Sequence, residues 1–483
     1  MLVLVATMLA SCSREPTQPG EGQAESKAAT ITITTKSPEA LAHFTRGETL
    51  FDNIRQEEAA EAFAAALKLD PDFVLARAYH GDATPGPEGL KELESAVAAA
   101  KQVSEPERTL IEGIAARRRG DAAQAQAAFT RLRQLAPGDW RSHYLLGLQL
   151  MLAEKYPESA ASLTKAADLN PTSGAAQNLL GYVALRQGDT DGAIRFFTKY
   201  GRLLPQEPNA QDSLGEALLA AGRFKEAEVA FRKALELSPE FWTAHQGIAY
   251  ARFYAGDWAG GREALEKAKT AAKSPGAKIG LDIQAADAAT AQRNTAEALR
   301  ILDAAEKTAG AQPFDLAIIP VIRSWALLDG GRARDALVPI AAALKTVDSG
   351  QLPPSTTREI RAFALRNRIT VEAMTGDAEA TRKTAAALEQ AGSSATDNPI
   401  AQDVMHYGRG QLAMVQRDYA TARSHFDKCS AQDQICKWQG QVAAEKAGDT
   451  AVATAARDQL LKAYHRDSVH LIVRSRLSPV GKT

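Results

Sequence analysis

Residues Asn209 to Phe241 read NAQDSLGEALLAAGRFKEAEVAFRKALELSPEF. Leu214, Gly215 and Leu218 mark one apolar helix, and Ala227, Phe231 and Ala234 mark a second. Gly222 between them is a helix stop, and Pro239, which lacks an N–H and cannot continue a helix, closes the unit.

The same register extends in both directions. Gly113, Gly147, Gly181 and Gly215 are spaced by 34 residues, and Ala249 continues the series. Seven residues after each stands a turn position: Gly120, Glu154, Gly188, Gly222 and Gly256. Twelve after stands a small residue, at Ala125, Ser159, Ala193, Ala227 and Gly261, and sixteen after a large one, at Phe129, Leu163, Phe197, Phe231 and Leu265. Pro137, Pro171, Pro205 and Pro239 close the units. Each unit thus encodes helix, tight turn, helix and break. The small residues let two backbones approach and the large one fills the space beside them. A lone pair cannot bury its apolar face, so neighbours must stack.

An earlier unit runs from Ala40 to Phe73 on Gly47, Leu50, Ala59, Phe63, Ala66 and Pro71, followed by an irregular pair around Pro85-Gly86-Pro87. Downstream, turn signals recur at Gly330-Gly331, Gly376-Asp377, Arg417-Asp418 and Gly448-Asp449, with longer breaks at Ser274-Pro275-Gly276, Ser349 to Thr357 and Gly392 to Pro399. About twelve helical hairpins are expected between Ala40 and Asp467. Val469, Leu471, Ile472 and Val473 in the tail suit a cap over the last exposed helix face.

Composition agrees. The chain has 483 residues, too many for one compact core, with 57 Lys+Arg against 58 Asp+Glu and a formal net charge of −1. That balance argues against a strongly basic nucleic-acid protein and an acidic disordered chain. Hydrophobic residues make up 45% and aromatics only 6%, which favours close-packed helices over sheets. Three cysteines exclude a disulfide-dense scaffold.

The repeat resembles the tetratricopeptide repeat, most closely over residues 106–241, less over 40–105 and 242–275, and least over 276–467. The resemblance implies an all-α, right-handed α-solenoid, degenerate in its C-terminal half. The expected organisation is a tetratricopeptide array over 38–275 and divergent helical repeats with a C-terminal cap over 276–483. In that family first helices line a concave groove. Carried over by register, its binding positions are Arg117, Arg118, Arg141, Tyr144, Asn178, Tyr182, Arg186, Asp212, Glu216, Gln246, Tyr250, Phe253 and Tyr254. Aromatics, arginines and amides suit a protein or peptide partner. The alternative is a solvated inner face whose tyrosines pack between helices.

Leu2 to Ala10 is an apolar run too short to span a bilayer. Leu9-Ala10-Ser11-Cys12 resembles the bacterial lipobox, although residues 1–11 carry no Lys or Arg. By that resemblance residues 1–11 are a lipoprotein signal peptide and Cys12 becomes a lipidated N-terminus on a flexible tether, residues 12–37, rich in Pro, Gly, Ser and Thr. Ser13 after the cysteine resembles an outer-membrane sorting signal, so the expected location is the bacterial cell envelope, anchored by lipid to the outer membrane and facing the periplasm.

No phosphate-binding loop, nucleophile elbow or H-E-x-x-H motif is present. No enzyme activity, cofactor, metal or nucleic-acid partner is expected. His465 and His470 are spaced poorly for one helical face. Asp189-Thr190-Asp191-Gly192 lacks the remaining calcium ligands and sits on a repeat turn. Arg117-Arg118-Arg119 ends a helix, where cations favour the dipole. Cys429 and Cys436, at the end of one helix and the start of the next, either form a disulfide in an oxidising compartment or remain free thiols. The expected function is a lipid-anchored envelope scaffold for an assembly or secretion complex, similar in anchor and repeat type to pilus pilotins and outer-membrane assembly lipoproteins. The alternative is a regulatory or substrate-presenting subunit of an envelope enzyme. A hidden enzyme in residues 276–483 is a third reading.

Overall fold

A computed structural model describes residues 29–477, apart from 54, 310–311 and 396–397. The expected signal peptide and Cys12 lie outside the described residues. Among the described residues there are 25 α-helices, one short 3-10 turn and no strand. Twelve pairs follow one another from α1 (Pro38–Asp52) with α2 (Gln56–Leu69) to α23 (Gln434–Ala447) with α24 (Thr450–Lys462), and α25 (Ser468–Leu477) follows alone. The chain is an all-α solenoid.

The lock inside each pair follows from side-chain size. In α11 (Pro208–Ala220), a methyl on Gly215 would sit 2.6 Å from a ring carbon of Phe231 in α12 (Phe224–Leu237). The same ring also meets Gly247 of α13 (Trp242–Tyr254), where a methyl would stand 2.4 Å away. One phenylalanine thus fastens three helices. The same glycine-to-large contact recurs at Gly47–Phe63, Gly113–Phe129, Gly147–Leu163, Gly181–Phe197 and Gly410–Phe426. Gly181→Leu is therefore expected to overpack its pair and lower unfolding stability by about 1–3 kcal/mol, read by denaturant titration. An unchanged midpoint would break the register.

The turns are equally regular. Glycines 120, 188, 222 and 256 all have positive φ, as does Glu154 at 57°. Asp121, Asp189 and Asp257 then cap the following helix, each side chain accepting an N–H three residues on. The Asp189 motif is this cap.

Downstream the same register persists on longer helices. Arg293, Gly331, Gly376, Arg417 and Gly448 repeat the left-handed turn. First helices grow from 13 residues in α13 to 17 in α15 (Pro275–Ala291) and 22 in α19 (Pro354–Thr375), which spoils the 34-residue spacing. Counting back seven from Gly376 gives Ile369 where a glycine is expected, and sixteen on gives Ala385 where a large residue is expected. The two share one apolar cluster, so the volumes are exchanged across the interface rather than lost. The core also crosses residue 275, with Ala268, Ala272 and Leu281 in a single cluster.

One expectation needs correction. Residues 29–37, assigned to the flexible tether, lie extended against the solenoid. Ile31 is buried and its N–H donates to Asp139, Thr34 donates to Glu107, and the Thr35 hydroxyl donates to Asp70 at 2.6 Å. Their low hydrophobicity hid this because side chains on three different pairs hold the segment.

Candidate functional site

Asn178, Tyr182 and Arg186, then Asp212 and Glu216, then Gln246, Tyr250 and Tyr254 recur every four residues on their first helices and so lie on one face of each. In the N-terminal pairs this face is a ladder of ion pairs. Arg141 of α7 (Trp140–Leu152) makes a two-pronged contact with Glu48 of α1, at 2.7 and 2.9 Å. Arg117 of α5 (Glu105–Arg119) reaches Asp82 at 2.6 Å, Arg118 donates to the Thr84 carbonyl, and Arg119 pairs with Glu94. The three consecutive arginines thus tie one pair to the pair before it. Tyr144 is buried against Trp140.

In the central pairs the face is occupied by the chain's own C-terminus. Residues 463–467 leave α24 without helical structure, run across α11 and α13, and enter α25. The Arg466 guanidinium donates to both oxygens of Asp212 at 2.9 Å, to Glu216 at 3.2 Å and to the Thr243 carbonyl at 3.3 Å. Tyr254 donates its hydroxyl to the His465 carbonyl at 2.8 Å, and the Tyr464 ring stands edge-on to Phe224 and Tyr254. Tyr182 bonds Ser213 and Glu216, Ser213 donates to Asn178, and Gln246 donates to Gln284. Phe253 and Tyr250 are buried, and Phe253 closes on Gly261. Arg186 reaches Gln432 at 3.0 Å across 246 residues of sequence, so the solenoid brings distant pairs together over its inner face.

Burial raises the Asp212 carboxyl even with Arg466 beside it, and the surrounding carboxylates keep Arg466 firmly protonated against its own burial. His465 and His470 have ring centroids 3.9 Å apart. A five-residue spacing is unfavourable on one helix, but residues 463–467 are not helical, so the rings meet in a tilted contact with 38° between their planes. Among the described residues no three His, Cys, Asp or Glu side chains gather as a metal site, and no helix is long and apolar enough to cross a membrane.

Behind this segment lies a cavity of about 450 Å³ between the inner faces of the later pairs, with Trp325, Phe363, Arg366, Asp287 and Asp433 in its wall. Sequence reading missed Asp287, Arg366 and Tyr407. Counting back from the left-handed turns would have found them: Asp287 holds the register position of Glu216 and Tyr250, and Arg366 and Tyr407 hold that of Asp212. Arg366 pairs with Asp433 at 2.8 Å and lies 4.3 Å over the Tyr407 ring. Asp433 also caps α23, accepting from the Cys436 N–H. Burial opposes ionisation of Asp433, but Arg366 holds its carboxyl below the usual range. Cys436 is bridged to Cys429 with Cα atoms 6.3 Å apart, linking α22 (Tyr419–Phe426) to α23.

Asp287 accepts a 2.5 Å hydrogen bond from Ser468, and burial pushes its pKa from 3.8 to about 7. Between those values the folded chain holds a proton that the unfolded chain releases, so this group costs stability as pH rises. Asp287→Asn should therefore gain melting temperature over the wild type as pH rises from 4, level off above about 7 and show no gain at pH 4. Paired melts at pH 4, 6 and 8 check the sign.

Models of the tetratricopeptide repeat match residues 112–173, 149–208 and 208–241. No curated protein matches the sequence. Among solved structures, the MamA protein is similar at 23% identity over 34% of this chain and 91% of that one, with a TM-score of 0.31. YrrB, described as a TPR protein with an unusual peptide-binding site, is similar at 17% identity over 44% and 93%, with a TM-score of 0.28. A tetratricopeptide repeat protein from Parabacteroides merdae gives 15% identity over 60% and 100%, with a TM-score of 0.38. The helix pairs of residues 112–241, fastened by a small residue against a large one, are tetratricopeptide repeats.

Proposed function

We propose that this protein is a scaffold of the bacterial cell envelope, anchored through lipid on Cys12, that holds a protein partner against the inner face of its solenoid. Tetratricopeptide repeats act in protein–protein interaction, and that much rests on the matched repeats. The observation that carries the reading further is the inner face itself. It already holds an extended segment of polypeptide, residues 463–467, through side chains of Asp212, Glu216 and Tyr254. A face that binds one peptide by its side chains has the chemistry to bind another.

The anchor and the location rest on the lipobox resemblance. The Cys429–Cys436 bridge supports export, since such bonds persist in oxidising compartments. Alkylation of the folded, unreduced protein should label neither cysteine of that pair in an intact-mass spectrum. Labelling of both would remove this support.

The scaffold is tested by photo-crosslinking in the native cell, with the reactive residue at Arg118, an exposed member of the expected groove set on α5, and at exposed Lys233 as a control outside that set. One dominant protein captured from Arg118 and absent from Lys233 is the expected result. Equal capture from both positions would overturn the reading.

A further inference from the structure

We infer that Asp212 and Glu216 form an arginine-recognition pocket, that Arg466 is its intramolecular occupant, and that the partner presents an extended, arginine-bearing segment which replaces it. The inference rests on the proposed scaffold function and names the chemistry of what the inner face takes.

The pocket is built for a guanidinium. Two carboxylates on one helix face, four residues apart, meet the planar fork of Arg466 from two sides, and the Thr243 carbonyl accepts from the same nitrogen that bonds Asp212. The Phe231 ring lies 5.8 Å from the guanidinium carbon. Asp212 is only 3% exposed with Arg466 in place, and Arg466 is its cationic partner. A buried carboxylate of this kind demands a cation, and a lysine would satisfy its charge without the fork.

The occupant is held as a ligand is held. Residues 463–469 are half-buried throughout, whereas Leu471, Ile472 and Val473 of α25 are core residues. Across residues 464–467 the backbone has no helical bonding, and its contact with the groove is the pair His465 N–H and C=O on the Tyr254 hydroxyl. The rest is side chain: Tyr464 against Phe224 and Tyr254, and Arg466 in the pocket. These contacts are the recognition pattern, an aromatic residue two positions before an arginine. The α25 helix packs on α15 and fastens the end of this segment, and it raises the local concentration of Arg466 over any competitor.

The test uses the full chain carrying Arg466→Glu, whose new carboxylate is repelled by Asp212 and Glu216 and vacates the pocket. The probe is a fluorescein-labelled peptide with the sequence of residues 463–469, AYHRDSV. Removal of the tethered competitor should tighten probe binding by ~10-fold or more over the wild type. Equal affinity for both chains, or binding that survives replacement of the probe's arginine by alanine, would overturn the inference. If the variant fails to fold by circular dichroism, hydrogen exchange on the unmodified chain decides. Faster exchange of residues 463–469 under saturating probe supports displacement, and unchanged exchange refutes it. A partner captured from Arg118 together with a probe that does not bind would retire the pocket and leave the scaffold standing.

Discussion

Phe231→Ala is expected to lower unfolding stability by about 3–5 kcal/mol. The ring is fully buried and is gripped by glycines on two different helices, Gly215 and Gly247. Truncation removes its transfer free energy and leaves a cavity that cannot collapse, because the two glycine backbones are held apart by the rest of α11 and α13. In a repeat array each unit touches only its neighbours, so hydrogen exchange should quicken in α11–α13 well before it does at either end. Lys233→Ala, on the exposed side of the same helix, should stay within about 0.5 kcal/mol of the wild type. Chemical denaturation of both variants measures the contrast, and equal losses would show that the lock does not carry the array.

Arg366→Met is expected to cost about 3–5 kcal/mol by a different route. Methionine keeps much of the volume, so packing against Tyr407 is largely retained, while Asp433 is left buried without its cation. Its carboxyl then rises towards protonation. A raised acid costs stability as pH climbs from the unfolded value to the folded one, so the loss should shrink in acid and grow towards neutrality. The double variant R366M/D433N should recover part of the loss, because no uncompensated charge remains. A single variant no worse than the double would mean that the pair contributes by shape alone.

Most of the repeat was legible because its causes are local. The glycine at 181 and the phenylalanine at 197 lie within one helical hairpin, and the turn at Gly188 and the cap at Asp189 lie between them. The C-terminal half was less legible for two physical reasons. Longer first helices changed the period, and the exchange of volumes at Ile369 and Ala385 erased the small-to-large signature while preserving the packed interface. The expected groove positions come from the pairs whose period is strict, and Asp287, Arg366 and Tyr407, at the same register in later pairs, were passed over because the period drifts there.

The occupancy of that groove was not legible at all. Arg466 and Asp212 are 254 residues apart, and Arg186 and Gln432 are 246 apart. The helices, their turns, their pairing and the all-α array are written locally, because each depends on residues within about one repeat of one another. That residues 29–37 lie along the first pairs and that residues 463–467 cross α11 and α13 follows from long-range packing. A solenoid sums a small rotation at every interface, and no single stretch of sequence records that sum.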